Sequence, residues 1–157
     1  MTDAKKLNFR QESAPVGNSG DGGSHPFMLS LRTDPLKQTF TPGEVLHTFK
    51  APTGWKWVDY VGLSYYTENP PMDHYVGLID TSKLKLSEND TVLTFRYEPH
   101  LNTAGQADFD HLVYHLIATA IDGATKGMSS DGYATIGETS SKAPLPVKTT
   151  LYGIITS

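Results

Sequence analysis

Cysteine is absent from this 157-residue sequence. Its absence excludes disulfide bonds, thiolate ligands for a metal ion and a cysteine nucleophile. Small secreted domains often depend on disulfides, but a chain of this length can bury enough apolar surface to fold without them. The lack of cysteine therefore assigns the protein to no cellular compartment.

Long apolar runs and basic clusters are also missing. No run approaches the roughly 20 apolar residues that cross a bilayer, and the lysines near the N-terminus precede no apolar stretch of the kind found in a secretory signal. The formal net charge is −4, and the lysines and arginines are scattered. Because proteins that neutralise nucleic-acid phosphates usually carry a basic arm or stripe, the sequence gives no strong nucleic-acid signal. It also predicts no membrane span.

Familiar catalytic motifs are lacking as well. The sequence has no G-x-S-x-G elbow for a serine nucleophile and no glycine-rich loop of the kinds that hold phosphates. The acidic residues that a glycosidase would use in pairs are scattered, and their spacing pairs none of them. We therefore predict that the chain is not an enzyme, has no catalytic residues and binds no cofactor.

Two histidines, His111 and His115, stand four positions apart. On a helix this spacing places both imidazoles on one face, as in many zinc sites, with a third ligand such as His74 or His100. On a strand the same two residues lie roughly 13 Å apart, too far to share one ion. Since the glutamate of an HExxH motif is absent too, we predict no metal ligands.

What the sequence does contain is an aromatic segment, residues 54–66, with both tryptophans and three of the eight tyrosines. Aromatic and β-branched side chains suit the pleated, half-buried surface of a strand. Turn residues precede the segment at 51–54 and follow it at 68–71, where Pro70 and Pro71 stand together. The segment predicts one long strand and a β-rich fold.

Similar runs recur along the chain, separated by turn residues at roughly the eight-to-twelve-residue rhythm of sandwiches and barrels. We predict an all-β fold, a single antiparallel β-sandwich of jelly-roll-like type with about eight strands. The clearest predicted strands are 27–31, 45–50, 54–66, 91–98 and 148–156.

One segment, residues 109–121, fits two interpretations. Its apolar residues follow the i, i+3, i+4, i+7 spacing of a helix, with Asp108 as an N-cap and Gly123 at the end. Residues 113–121 also form a nearly continuous apolar run before an Asp-Gly turn, which is typical of a strand entering a hairpin. The β-rich neighbours favour the strand, and a single helix over 109–121 is the alternative.

The N-terminal part has a different composition. Residues 11–26 are rich in glycine, serine and proline and offer little to bury. This composition is typical of a flexible segment, and equally of an arm that becomes ordered on a neighbouring subunit. We predict a flexible Gly/Ser-rich N-terminal arm over residues 1–26 and a β-sandwich domain over 27–157.

The aromatic residues also suggest a ligand site. Aromatic rings beside polar side chains can form the stacking platform and polar rim of a sugar-binding protein. The residues of this lectin-like hypothesis are Trp55, Trp57, Tyr65, Asn69, Asp73 and Tyr75. Because Trp55 and Trp57 share one face of the predicted strand with Val61 and Leu63, burial in the core is the favoured explanation of the tryptophans.

Elimination leaves assembly as the favoured function. An N-terminal arm, a compact sandwich and no catalytic motif suit a non-enzymatic structural subunit of a larger homomeric particle, such as a viral coat or capsid protein or a surface decoration or projecting protein. Its partners would be copies of itself, in a virion or at an extracellular surface. The alternative is a carbohydrate-binding module that holds a glycan with the aromatic strand and the Pro70–Pro71 loop.

Overall fold

The structure, a computed structural model, describes residues 6–34, 38–40, 45–66, 74–78, 84–97, 107–109, 111–138 and 146–157. Every regular element in these ranges is a strand, and none is a helix of the length and apolarity that a membrane span requires. The strands are β1 (Lys6–Ser13), β2 (Val16–Gly17), β3 (His25–Asp34), β4 (Gln38–Phe40), β5 (Val45–Lys50), β6 (Trp55–Tyr66), β7 (His74–Leu78), β8 (Lys85–Ser87), β9 (Val92–Tyr97), β10 (Ala107–Phe109), β11 (His111–Ala120), β12 (Gly127–Ile136) and β13 (Val147–Ile155).

Two large sheets form a sandwich. One sheet has the strand order β1-β3-β11-β6-β7 and the other has β2-β13-β12-β5-β9-β8, while β4 pairs with β10. All pairings are antiparallel except the parallel pairing of β2 with β13. The predicted all-β sandwich is confirmed, although the described residues contain thirteen strands rather than about eight. Four of these strands are only two or three residues long.

The core lies between the two sheets and is built from the alternate, inward-facing residues of both. Phe27 and Trp57 meet edge to face within the first sheet, with ring centroids 4.7 Å apart. Phe49 of the second sheet reaches Tyr114 of the first at 5.8 Å. Burial of each such side chain contributes about 1.5–3 kcal/mol. The largest fully buried side chains are Trp55, Trp57, Tyr114, Phe27, Phe49, Leu29, Leu93, Leu116, Leu151 and Ile155.

Strand β6 follows the predicted alternation and contains an irregularity. Trp55 and Trp57 are buried, while Lys56 between them is exposed. Against β11, Trp57 lies opposite Ala118 and Val61 lies opposite Leu116, so four positions of β6 span two of β11. The irregularity therefore adds two residues to β6 relative to β11 at this point.

The helix alternative for 109–121 is wrong, because residues 111–120 of this segment form β11. The strand occupies the middle of its sheet and pairs with β3 on one side and β6 on the other. Alternate residues from Tyr114 to Ala120 are buried in the core. The apolar residues fitted helical spacing by chance, because the run is apolar on both faces of the strand. Pairing with two neighbouring strands decides its structure.

Candidate interaction site at the N-terminal edge

The N-terminal segment, defined as residues 6–17, extends both sheets of the sandwich at one side. Strand β1 pairs with β3 from Lys6 opposite Asp34 to Ser13 opposite Met28. The chain then crosses to the other sheet, where β2 pairs with β13. A single short segment thereby covers the edge of β3 in one sheet and part of the edge of β13 in the other.

Gln11 joins the two sheets across this crossing. Its Nε2 donates to the Tyr152 carbonyl oxygen at 2.9 Å, and its Oε1 accepts from the Tyr152 backbone N–H at 2.8 Å. The side-chain amide thus takes the place of a peptide group in a strand pairing, because it offers one donor and one acceptor in the same plane. We call this pair of bonds the Gln11 bridge.

Further contacts hold the N-terminal segment. The Phe9 ring, half-buried, lies 6.2 Å from the Tyr114 ring, and Pro15 is buried. The Ile154 N–H donates to the Pro15 carbonyl and the Thr156 N–H to the Gly17 carbonyl, both at 2.9 Å. The Ser30 hydroxyl donates a short hydrogen bond to Glu12. The segment is therefore held by backbone pairing, apolar contact and side-chain hydrogen bonds at once.

A glycine-rich connector, residues 18–24, leads from this segment to β3. Asp21 holds its turn: the carboxylate accepts from the backbone N–H of Gly23 at 2.9 Å and of Asn18 at 3.2 Å, and lies 2.9 Å from His25 Nε2. The hydrogen bond from Gly23, followed by those from His25 and Asn18, lowers the pKa of Asp21 against a smaller opposing effect of burial. Gly20 and Gly22 adopt φ of 63° and 68°, values that favour glycine.

An apolar patch lies on the outer surface beside the N-terminal segment. Ile154 of β13 stands opposite Val16 of β2 on one side and Met128 of β12 on the other, and Tyr152 is its neighbour on the same face of β13. We call these four residues the outer apolar row. Val16, Met128 and Tyr152 are 51%, 67% and 37% exposed, and the remaining large apolar residue exposed in the described part of the chain is Met28, on the other sheet.

The tryptophans of the lectin-like hypothesis lie in the core. Trp55 is 0% and Trp57 2% exposed, so neither ring offers a face on which a sugar could stack. The Trp57 indole donates to the Phe49 carbonyl at 2.9 Å. The Trp55 indole packs against Gly153, and its N–H has no hydrogen-bond partner among the described residues. Their burial follows the core-packing explanation that the alternating pattern favoured.

The other residues of that hypothesis are only partly placed. Tyr65 of β6 and Tyr75 of β7 stand opposite each other in their sheet, where β7 is the edge strand. Asn69 and Asp73, and the Pro70–Pro71 loop with them, lie outside the described residues. The glycan site that these residues would form stays a prediction.

The zinc alternative loses its premise, because it required a helix at His111 and His115. Both histidines are on strand β11, at a separation of roughly 13 Å along the strand. Across the described ranges, no group of three or more His, Asp or Glu side chains is arranged to hold a metal ion. His100, offered as a third ligand, lies outside the described residues.

Gln11 and the outer apolar row are residues that the sequence analysis missed. A weak strand signal was present, because Leu7, Phe9 and Gln11 alternate with Asn8, Arg10 and Glu12 in the period-two pattern of a strand. The glycine and serine content of residues 11–26 outweighed it. The exposure of Met128 and Tyr152 depends on which face of β12 and β13 turns outward, and apolar content alone does not show it.

Comparison with known proteins identifies a shared fold. No protein-family model and no curated protein matches the chain. Among solved structures, the major pilin subunit BcpA of Bacillus cereus is similar with a TM-score of 0.54 at 6% identity, over 97% of this chain and 41% of that one. The N-terminal domain of the Streptococcus gordonii adhesin Sgo0707 gives the same TM-score and identity over 97% of this chain and 32% of that one. The collagen-binding subdomain of the Enterococcus faecalis surface protein ACE has a TM-score of 0.51 at 6% identity, over 100% of both chains.

These similarities concern architecture alone, since identities of 6% carry no residue roles. The chain spans less than half of the pilin and adhesin chains that it resembles. The sandwich described here is therefore an architecture that also occurs in domains of bacterial surface proteins.

Proposed function

We propose that this chain is a non-enzymatic structural subunit of a surface assembly and associates with further copies of itself. The observation that carries the proposal is the outer apolar row, in which Val16, Met128 and Tyr152 expose large side chains side by side. Contiguous exposed apolar residues on a soluble protein commonly mark a protein–protein contact. The occurrence of this architecture in pilin and adhesin domains supports a role at a surface.

The row is the size of an interface centre and not of a whole interface. Stable interfaces bury roughly 1,200–2,000 Å² in total, with apolar anchors at the centre and a polar rim. Four neighbouring side chains supply such a centre, while the exposed Lys148 and Thr150 farther along β13 would belong to the rim. Weak contacts of this size become effective when symmetry repeats them through an assembly.

The proposal favours an extracellular surface polymer or layer over a virion. The solved structures that share the fold include pilin and adhesin domains, and none of those described above is a capsid protein. In a homomeric polymer at a surface, every copy would present the same outer apolar row to its neighbours.

The direct test is the mass of the purified 157-residue chain in solution, measured by light scattering behind size exclusion over a range of concentrations, with negative-stain images of the same fractions. An assembly subunit will give regular oligomers or fibres. A monomer of 17.2 kDa at every concentration, with no ordered particles, would overturn the proposal. If that monomer bound a glycan array, the carbohydrate-binding alternative would replace it.

A further inference from the structure

We propose that the N-terminal segment is exchanged between copies, so that residues 6–17 of one copy occupy the edges of β3 and β13 of a neighbour, with the connector 18–24 as the hinge. The inference rests on the proposed assembly function and specifies how the copies join. The partner is a second copy of this chain. Its β3 and β13 edges would offer the N-terminal segment the same contacts that these edges make within one copy.

The acceptor surface consists of two strand edges that the N-terminal segment covers together. On β3 it receives a full antiparallel strand from Lys6 to Ser13. On β13 it provides the Tyr152 peptide group for the Gln11 bridge and the Ile154 N–H for the Pro15 carbonyl. A segment from a neighbour would remake each of these contacts, so exchange conserves the contacts and has a low energetic cost.

The connector has the properties of a hinge. Its seven residues include three glycines, and when extended they span at most about 24 Å, enough to carry the segment from its own sandwich to an adjoining one. In the closed form the connector is bent back by the Asp21 turn and by hydrogen bonds from the Ser19 N–H to Ser157 and from the Gly20 N–H to Ile121. Opening the hinge breaks these bonds and the hydrogen bond from the Thr156 hydroxyl to the Asn18 side chain. The Asp21 turn can be weakened without a substitution in β3 or β13.

The outer apolar row links exchange to the rest of the interface. Val16 belongs to the N-terminal segment, whereas Met128, Tyr152 and Ile154 belong to the sandwich. After exchange, Val16 of one copy would lie beside Ile154 of the next, and the row would contain residues of two copies. The patch proposed as the centre of the contact would therefore be shared between two copies, which is why a second copy is the favoured occupant.

Engineered cysteines test the exchange directly, because the natural chain has none. Arg10 and Ser30 stand opposite each other in the β1–β3 pairing, and Ser30 is only 1% exposed. One copy of the 157-residue chain carries Arg10→Cys and another carries Ser30→Cys. The two are mixed, incubated at high concentration under mild oxidation and run on a non-reducing gel with distinguishable tags. Because the Ser30 side is covered by β1, a mixed disulfide requires β1 of the other copy at that place.

The expected result is a covalent dimer containing both tags, with a yield several-fold above that of a control mixture in which Arg10→Cys meets Lys56→Cys, an exposed position outside the outer apolar row whose thiol is open to random collision. A second pair, Ser13→Cys with Met28→Cys, lies on the β3 acceptor edge outside the outer apolar row and serves if the Ser30 substitution disturbs folding. Mixed disulfides at the control level for both pairs, with only intrachain bonds when each pair is placed in one copy, would overturn the exchange.

The outcome separates this inference from the function on which it rests. Oligomers in solution without mixed disulfides would mean that copies associate through exposed surfaces and keep their own segments. Monomers without mixed disulfides would remove both proposals. Asp21→Ala, which loosens the hinge, is expected to raise the yield of the mixed disulfide, and an unchanged or lower yield would contradict the role of the connector.

Discussion

Gln11 and Tyr152 exchange two hydrogen bonds, at 2.9 and 2.8 Å, although 141 positions separate them in the chain. The amide of Gln11 joins the first strand of one sheet to the last strand of the other. This relationship connects the fold to the proposed function, since the contact that closes the sandwich edge is also one that a neighbouring copy can supply.

Gln11→Leu removes both bonds of the Gln11 bridge and leaves the Tyr152 peptide group without this partner. We expect a loss of about 1–2 kcal/mol in the free energy of unfolding and faster amide hydrogen exchange along β1. Urea denaturation and hydrogen exchange measure these effects. Asn8→Leu, at an exposed position of the same strand, is the matched control. Equal stability of the two variants would show that the bridge contributes nothing.

Gly153→Ala tests the packing of the Trp55 indole. A Cβ at position 153 would lie 2.5 Å from Trp55 Nε1, closer than two heavy atoms can approach, so the ring or the strand must shift. Overpacking of this kind costs about 1–3 kcal/mol. The variant should unfold at lower urea concentration, while Thr150→Ala, exposed on the same strand, should stay near the native value. An unchanged urea midpoint for Gly153→Ala would mean that the core around Trp55 has room for the added methyl group.

Tyr114→Phe tests the polar contact inside the core. His47 is 2% exposed, its Nε2 lies 3.0 Å from the Tyr114 hydroxyl, and its ring stacks on Phe95 at 4.6 Å. Removing the hydroxyl deprives a buried imidazole of one hydrogen bond, at a cost of about 1–3 kcal/mol. Tyr133→Phe, at a half-buried site, is the control. If both variants unfold alike, the His47–Tyr114 bond has no net effect on stability.

Asp131 should make stability depend on acid pH. The Thr53 hydroxyl and backbone N–H donate to its carboxylate and hold the pKa of Asp131 below its ordinary value of 3.8. A lowered pKa in the folded state means that the stabilisation is present above the ordinary value and is lost as pH falls through the folded pKa. Urea denaturation should be measured as pH falls from above 3.8 to below it. Asp131→Asn should then lose less free energy of unfolding than Asp90→Asn, a control that removes an equal charge away from Thr53. An identical dependence of the unfolding free energy on pH in the two variants would contradict the stabilising role of the Thr53–Asp131 hydrogen bonds.

Local patterns predicted the strand class well and long-range contacts poorly. The aromatic alternation that begins at Trp55 and the run at 45–50 are strand signals within a few residues, and both became strands. The segment 109–121 needed its neighbours, because an apolar run on both faces satisfies helix and strand alike. Its place between β3 and β6 decided the matter.

The candidate site was the least predictable part, because it depends on residues far apart in sequence. Residues predicted as a flexible arm include β1 and β2. The division into arm and domain stays a prediction, since a segment that pairs within one copy can also pair with another. The tryptophans drew attention as a ligand site because of their chemistry, and the buried face of β6 placed them in the core instead.

The measurement that tests the central claim most directly compares the solution mass of three chains by light scattering: the native chain, the double variant Met128→Ser with Tyr152→Ser, and Met28→Ser. All three substituted residues are exposed, so folding should be retained, but only the first two belong to the outer apolar row. The account predicts that the native chain and Met28→Ser form the same oligomer, while the double variant falls toward the 17.2 kDa monomer. A native chain that is monomeric throughout, or a double variant that assembles like the native chain, would contradict it.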